Sequence, residues 1–350
     1  MNVGKDLNKF FSDEPPGQKV NSLRWLQKLV MKKALTLPRE FDTLGHWEDF
    51  RDKLRMDLPK VCGFPDLPPM KESFVRGRIR VGDDVLCERV DVYVDENFSA
   101  PVFVFLPEQK PSKPMPALVW NPGWPQDKWT RSYQEFGVRM ARQGYVVLVV
   151  DHPPFGETSP AAGEDGKQLF NMTLVMGMSN TVGISYMMLR CAIAMRCGEY
   201  LRSRPDVDDS RVAIGGLCEG GMDTYLVAAI DDTFCAAAPV AAATTLAIHF
   251  AEMGSYHANA DASPFPFGIL NVCDIEHLHA AIAPRPLLVR ANLPDLWWPV
   301  SGFDDVEHFT RKIYRLYDAE DKIDFGSDVH EHDLTGPYAD ALEAFMKKYV

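Results

Sequence analysis

The sequence has neither a concentration of basic residues nor a long apolar segment. Its 350 residues carry a formal net charge of −12, and lysine and arginine form no block at any position. A nucleic-acid surface needs concentrated positive charge opposite the phosphate backbone, so we expect no nucleic-acid partner. Since no stretch reaches the roughly 18 uninterrupted apolar residues of a membrane-spanning helix, we expect no membrane partner either.

A disulfide framework and a phosphate-binding loop are also missing. The seven cysteines are an odd number and show no Cys-x-x-Cys spacing, which is typical of reduced intracellular thiols. Neither a G-x-G-x-x-G nor a Walker-type loop is present. The opening residues, MNVGKDLNKFFSDEPPG, have no apolar segment of the kind that signal peptides contain. We therefore expect a cytoplasmic protein that needs no cofactor.

One group of side chains could suggest a metal site. His277 and His279 lie close in sequence to Asp274 and Glu276. In a helix, however, the H-x-H spacing points the two rings in different directions, and no second ligand pair completes a set. We expect no bound metal and interpret the two histidines as structural.

The hydrophobic pattern changes along the chain. Residues 1–70 contain two segments with helix-like apolar spacing, which we interpret as a helical N-terminal extension that packs on, or partly covers, the main domain. Over 71–350, short apolar strands alternate with helical patterns, and a strand as apolar as VVLVV must be covered on both faces. This predicts an α/β fold with a mostly parallel, doubly wound sheet. A segment of about 241–280 lacks a clear period and is interpreted as a cap-like insertion over the carboxyl edge of the sheet.

The sharpest local pattern lies at 211–230, where the apolar strand RVAIGG runs into Gly216-Leu217-Cys218-Glu219-Gly220 and then into a helical pattern. This is the strand–turn–helix arrangement of a nucleophile elbow, G-x-S-x-G, with sulfur in place of the hydroxyl. The amino end of the following helix offers N–H groups and a positive dipole, which favour a thiolate. The pattern predicts Cys218 as a nucleophile; the alternative is a core cysteine in a tight turn.

A nucleophile of this kind needs an oxyanion hole. The first predicted donor is the backbone N–H of Glu219, the residue after the nucleophile, and the second comes from the loop after an earlier strand. That loop follows PALVWN and reads Pro122-Gly123-Trp124. We therefore predict the backbone N–H of Trp124 as the second donor.

An acid and a histidine should follow the nucleophile in that order along the chain. Asp295 comes shortly after the strand PLLVRA, whereas Asp304 and Asp305 lie further on, in the next helical pattern. His330 and His332 both precede the last helix by a few residues. Asp295 and His332 are the favoured acid and base, with His330 left as the alternative base.

These residues resemble a known superfamily. The elbow GLCEGG resembles that of dienelactone hydrolases, the α/β-hydrolase branch with a Cys-His-Asp triad. The stretches DHPPFGETSP, YLRSRPDVDDSRVAIGG and AAIAPRPLLVR are more similar to the acetyl-xylan-esterase-related branch. The resemblance covers about 115–350 and implies an α/β-hydrolase fold with Cys218, Asp295 and His332 in the nucleophile, acid and base places. Two features depart from the longer-chain branch, which has serine at the nucleophile and a His-Gly start where this chain reads NPGW.

The expected function is hydrolysis of a small-molecule carboxylic ester or lactone through a thioester. Aromatic residues predicted to line the substrate site are Trp129, Trp297, Trp298 and Phe267, which suit an apolar or ring-bearing acyl group; the same side chains could instead fill core. The same triad would also serve an acyltransferase or cyclase, and a hydrolase fold can support binding without catalysis. The composition is compatible with a monomer or a homo-oligomer.

Overall fold

The computed structural model describes residues 22–109, 111–159, 172–256, 265–293, 295 and 298–350. Its strands are β1 (Phe74–Val81), β2 (Val85–Tyr93), β3 (Ser99–Pro107), β4 (Met115–Asn121), β5 (Val146–Val150), β6 (Val207–Leu217), β7 (Ala237–Val240), β8 (Leu287–Asn292) and β9 (Ile323–Asp328). Its α-helices are α1 (Ser22–Ala34), α2 (Leu44–Val61), α3 (Arg131–Ala141), α4 (Met172–Thr181), α5 (Tyr186–Ser203), α6 (Glu219–Ile230), α7 (Leu246–Tyr256), α8 (Ile275–Ala280), α9 (Phe303–Leu316) and α10 (Gly336–Tyr349).

The strands form one sheet in the order β1-β2-β3-β5-β4-β6-β7-β8-β9. The pairs β1–β2, β2–β3 and β3–β5 are antiparallel. All neighbours from β5 through β4 to β9 are parallel. The predicted mostly parallel α/β sheet is therefore confirmed, with an antiparallel end that the alternating pattern of the first strands allows.

Helices cover both faces of the parallel part. On one face α2, α5, α6, α8 and α9 share a core with the strands, and on the other face α3 and α10 do so. Strand β5 shows why the sequence requires this: Val146, Leu148 and Val150 belong to the first core, and Val147 and Val149 to the second. Successive side chains of a strand point to opposite faces, so a strand without polar residues needs two covers.

Because the strands are parallel, the loops that follow several of them lie at the same edge of the sheet. Asn121 at the end of β4 pairs with Gly216 near the end of β6, and Asn292 at the end of β8 pairs with Asp328 at the end of β9. Residues that follow these strands must therefore lie near one another, as expected at the carboxyl edge of such a sheet. All the predicted triad residues follow one of these strands.

The two helices of the amino-terminal region differ in burial. In α2, Trp47, Leu54 and Leu58 are buried and belong to the main core. Helix α1 exposes Trp25 to 60% and contacts α7, where Gln27 donates a hydrogen bond to the carbonyl of Phe250 at 2.8 Å. Within the part of the chain that the structure describes, no helix has the length and apolar character needed to cross a membrane.

Candidate active site

Cys218 lies in the turn between β6 and α6. Its backbone has φ 58° and ψ −118°, and its N–H donates to the carbonyl of Val240 at 2.9 Å. A positive φ is unfavourable for a residue with a side chain and is retained where the surroundings enforce it. A Cβ atom at Gly216 or Gly220 would overlap backbone atoms of the turn or of Asn121. The two glycines therefore permit the sharp turn that projects the Cys218 side chain from the sheet edge.

His332 and Asp295 lie together beside this turn. His332 Nδ1 is 3.0 Å from Asp295 Oδ2. The other ring nitrogen, Nε2, is buried and makes no hydrogen bond of good geometry with a described residue. Burial alone would lower the pKa of His332, but the hydrogen bond to Asp295 and the sulfur of Cys218 raise it to about 10. The three residues thus interact electrostatically as one group.

The alternative residues point elsewhere. His330 Nε2 is 3.0 Å from the Thr335 hydroxyl, and its ring lies edge-on to Tyr338 with centroids 5.2 Å apart. Asp304 and Asp305 are exposed in the first turn of α9. The structure brings His332, and not His330, to Asp295.

The loop after β4 lies directly against the nucleophile turn. A Cβ at Gly123 would be 2.8 Å from the carbonyl oxygen of Leu217 and 3.0 Å from Cys218 Cβ. Trp124 follows in this loop with its side chain partly exposed. Glu219 is the first residue of α6, and the first N–H groups of a helix have no partner within it. Both predicted oxyanion donors therefore belong to segments that border Cys218.

A buried arginine beneath the turn was not predicted from the sequence. Arg190 of α5 donates to Glu219 Oε2 at 2.7 Å and to Asp223 Oδ2 at 2.7 Å. It also donates to the carbonyl oxygen of Pro122, in the predicted oxyanion loop, at 2.9 Å. The Glu219 carboxylate thus faces this ion-pair cluster. Burial raises the pKa of Glu219 to about 7 and that of Asp223 to about 6, while Arg190 opposes both shifts.

His152 extends the same cluster to the loop after β5. Its Nε2 is 3.1 Å from Asn121 Oδ1 and 3.5 Å from Asp223 Oδ2. Burial, with a contribution from Arg190, holds the pKa of His152 well below its usual range. A neutral imidazole at this position connects the end of β4 with α6. His152 lies in the segment DHPPFGETSP, but nothing in its spacing predicted that the ring would lie beside α6.

The four predicted lining aromatics lie in different surroundings. Trp298 is buried, and its indole Nε1 donates to Cys218 Sγ at 3.4 Å. Trp129 packs on Phe103 with ring centroids 4.7 Å apart, in a groove between β1 and α3 that contains no triad residue. Phe267 is 41% exposed and lies near Gly63. Trp297 lies outside the described residues.

The two histidines of the H-x-H motif make hydrogen bonds to backbone atoms of α8 and its neighbouring segments. His277 Nε2 is 2.8 Å from the carbonyl oxygen of Pro38, and His277 Nδ1 accepts from the N–H of Asp274 at 3.1 Å. His279 Nδ1 is 3.0 Å from the carbonyl oxygen of Ile275. Across the described ranges, no group of three or more His, Cys, Asp or Glu side chains is arranged to hold a metal ion.

Comparisons with known proteins add relatives at low identity. No protein-family model matches the chain. A curated protein of Bacillus subtilis (strain 168), named "Putative hydrolase YtaP", is 23% identical over 320 residues, which are 86% of this chain and 100% of that protein.

Solved structures share the fold over most of the chain. A protein of Bacteroides fragilis NCTC 9343, described as a "putative acetyl xylan esterase", has a TM-score of 0.74 at 15% identity, covering 96% of this chain and 97% of that one. Methylesterase BT1017 has a TM-score of 0.70 at 20% identity, covering 92% and 67%. A glucuronoyl esterase from Solibacter usitatus has a TM-score of 0.59 at 15% identity, covering 83% and 91%. Together with the strand order, these likenesses show that the chain has the α/β-hydrolase fold.

Proposed function

We propose that this chain hydrolyses small carboxylic esters or lactones, with Cys218 as nucleophile, His332 as base and Asp295 as the acid that orients it. One observation carries the proposal. Beside the Cys218 turn lies a histidine whose Nδ1 is held 3.0 Å from a carboxylate oxygen. A nucleophile, a base and an orienting acid in this relation activate a thiol for attack on a carbonyl carbon.

His332 is the base that activates Cys218. The hydrogen bond to Asp295 and the neighbouring Cys218 raise the pKa of His332 to about 10, so its Nε2 readily accepts the thiol proton. The Asp295 carboxylate stabilises the imidazolium that forms. A thiolate is the reactive form of cysteine, so transfer of the proton to His332 activates Cys218 for attack.

Acylation begins when Cys218 Sγ bonds to the carbonyl carbon of the ester. The carbonyl oxygen becomes an oxyanion, which accepts hydrogen bonds from the backbone N–H groups of Glu219 and Trp124. Collapse breaks the bond between carbon and the alcohol oxygen, and the imidazolium of His332 gives its proton to that oxygen. The products are an alcohol, a thioester on Cys218 and a neutral His332.

Deacylation uses the neutral imidazole as a general base. His332 Nε2 takes a proton from water as the water oxygen attacks the thioester carbon, and sulfur leaves as a thiolate. The carboxylic acid is released and the ion pair is restored. A thiolate leaves much more readily than an amine, so the intermediate from an amide would revert, whereas an ester or lactone would proceed.

Esters that carry a sugar or another ring are the favoured substrate class. Three structural neighbours bear names of ester-cleaving enzymes, and two of those names refer to xylan and to a glucuronoyl group. In this chain the residues that contact Cys218 include Trp298, and aromatic side chains are common in sites that bind ring-bearing ligands.

Alkylation combined with turnover tests the proposal. We expect the protein to hydrolyse p-nitrophenyl acetate, acetylated xylo-oligosaccharides or methyl glucuronate, and iodoacetamide to abolish turnover in step with modification of Cys218 by mass spectrometry. Cys218→Ala should lose activity by at least about 10³-fold. Cys235→Ser is the matched control because Cys235 is the other cysteine that is not fully buried. Turnover that survives complete alkylation of Cys218 would contradict the mechanism.

Two histidine variants separate the candidate bases. His332→Ala should lower kcat by a factor of about 10² to 10⁴, whereas His330→Ala should retain most of it. A single burst of alcohol without turnover would favour transfer of the acyl group to another acceptor. Absence of any burst, with Cys218 unreactive, would favour a binding protein.

A further inference from the structure

Trp298 makes two hydrogen bonds that join the nucleophile to the acid. Its indole Nε1–H donates to Cys218 Sγ at 3.4 Å, and its backbone N–H donates to Asp295 Oδ1 at 3.1 Å. The other oxygen of the same carboxylate, Oδ2, is the one that holds His332. One residue therefore contacts the sulfur directly and fixes the carboxylate that orients the base.

We propose that Trp298 is a fourth catalytic residue, whose indole N–H stabilises the Cys218 thiolate while its backbone N–H positions Asp295. This inference rests on the proposed function for its catalytic meaning. Its physical content, a hydrogen bond to the negative sulfur, can be tested without a substrate.

The chemistry of indole makes the direction of the effect unambiguous. The Nε1–H group is a donor only, with no acceptor capacity. A donor stabilises an ionised acceptor more than a neutral one, because hydrogen bonds to charged groups are the stronger kind. The indole is buried, with 6% of Trp298 exposed, and low local polarity strengthens such a bond. The contact therefore favours the thiolate over the thiol.

Packing fixes the indole in this orientation. The ring of Trp298 lies 5.3 Å from that of His249 and 6.1 Å from that of Phe265, between centroids. A side chain packed against aromatic neighbours is preorganised, so the donor is in place before the reaction begins. Burial of a tryptophan does not by itself produce such a bond in this molecule. The buried indoles of Trp47 and Trp120 have no hydrogen-bond partner among the described residues.

The donor acts on charge and transfers no atom. The thiol proton goes to His332 Nε2, and the indole keeps its own hydrogen throughout. In the thioester the sulfur is neutral and accepts the hydrogen bond weakly. During deacylation the sulfur regains its charge as the carbon–sulfur bond breaks, so the same N–H stabilises the departing thiolate.

The test compares the pH dependence of iodoacetamide alkylation at Cys218 in the wild type, Trp298→Phe and Trp47→Phe. Trp298→Phe keeps an aromatic ring against His249 but removes the donor. We expect the midpoint of its alkylation profile to move up by about one pH unit, with about tenfold slower alkylation below that midpoint and an unchanged limiting rate at high pH. Trp47→Phe should leave the profile in place, because its indole donates to no described group.

A second replacement distinguishes loss of the hydrogen bond from a change in packing or folding of Trp298→Phe. Benzothienylalanine at position 298 keeps the bicyclic shape but has sulfur where indole has N–H, and it should reproduce the shift seen in Trp298→Phe. A profile identical to that of the wild type in both variants would overturn the inference, even if ester hydrolysis is observed. If the alkylation profile shifts but the wild-type protein has no esterase activity, the hydrogen bond to Cys218 is supported and the proposed function is refuted.

Discussion

At position 220 the absence of a side chain decides whether the site can form. A Cβ there would overlap the carbonyl oxygen of Asn121, at the end of β4, and would also approach that of Pro122 at 2.9 Å. These are backbone atoms of the segment that leads into the predicted oxyanion loop. Because they cannot rotate away, the loop itself would have to move.

Gly220→Ala should therefore damage activity more than stability. We expect a loss of about 1–3 kcal/mol in the free energy of unfolding from overpacking, and a fall of about 100-fold or more in kcat/KM because a displacement near 1 Å misplaces the oxyanion donors. Gly45→Ala is the control: Gly45 is the second residue of α2 with nothing within 4 Å of the added carbon, so alanine should change the free energy of unfolding by about 0.5 kcal/mol or less. Urea unfolding and ester turnover measure both effects, and equal activity in the two variants would refute this account of the turn.

Single residues also show which parts of the site the sequence could predict. The tight turn at Cys218 was predictable because its determinants are local: a strand, glycines on both sides and a helix. The sequence favoured His332 over His330 as the base, but local pattern alone could not decide between them, since both lie in one segment. His330 meets Thr335, five residues away, and His332 meets Asp295, 37 residues away. A contact between residues so far apart in sequence cannot be predicted from the local hydrophobic periodicity.

At the scale of elements, Arg190 joins three segments that meet beneath the nucleophile. From α5 it contacts Glu219 and Asp223 of α6 and the carbonyl of Pro122 after β4. A fully buried arginine between two carboxylates keeps α6 and the β4 loop at a fixed separation, and removing one partner of such a set leaves an uncompensated charge. The sequence showed Arg190 only as a charge within the apolar helix YMMLRCAIAMRC, because its carboxylate partners follow 29 and 33 residues later.

The cluster predicts how stability depends on pH. Burial raises the pKa of Glu219 to about 7 from an ordinary 4.5, so the folded protein binds more protons than the unfolded chain between these values. The free energy of unfolding should consequently decline as pH rises from about 4.5 to 7, by at most about 3 kcal/mol from this group. Glu219→Gln, which cannot ionise, should remove that part of the decline.

Urea unfolding of the wild type and Glu219→Gln at a series of pH values measures the difference. Glu135→Gln is the matched control, because Glu135 pairs with Arg131 on the surface of α3, where both side chains are exposed. The control should follow the wild-type curve over the whole range. A Glu219→Gln curve parallel to that of the wild type would show that Glu219 titrates in the fold as it does in the unfolded chain.

At the scale of the whole molecule, the sheet is covered by helices drawn from both ends of the chain. Helix α10 closes one face, and α2 joins the core of the other. Alternation and apolar strands were enough to predict the layered α/β architecture, because they follow from the need to cover β4 to β8 on both faces. Periodicity alone could not show that α2 contributes to the main core while α1 exposes much of its apolar surface, since both helices have similar spacing.

A pair of tryptophan variants tests this division of the amino-terminal region. Trp47 is fully buried, with its ring 5.0 Å from Phe41 and 6.1 Å from Phe309 between centroids, whereas Trp25 in α1 is 60% exposed. Trp47→Ala should cost about 3–5 kcal/mol in the free energy of unfolding, since it leaves a cavity in the shared core. Trp25→Ala should change it by about 0.5 kcal/mol or less. Because α2 and the sheet share one core, Trp47→Ala should lower the midpoint of a single transition; a separate early transition would show that α2 unfolds independently of the sheet.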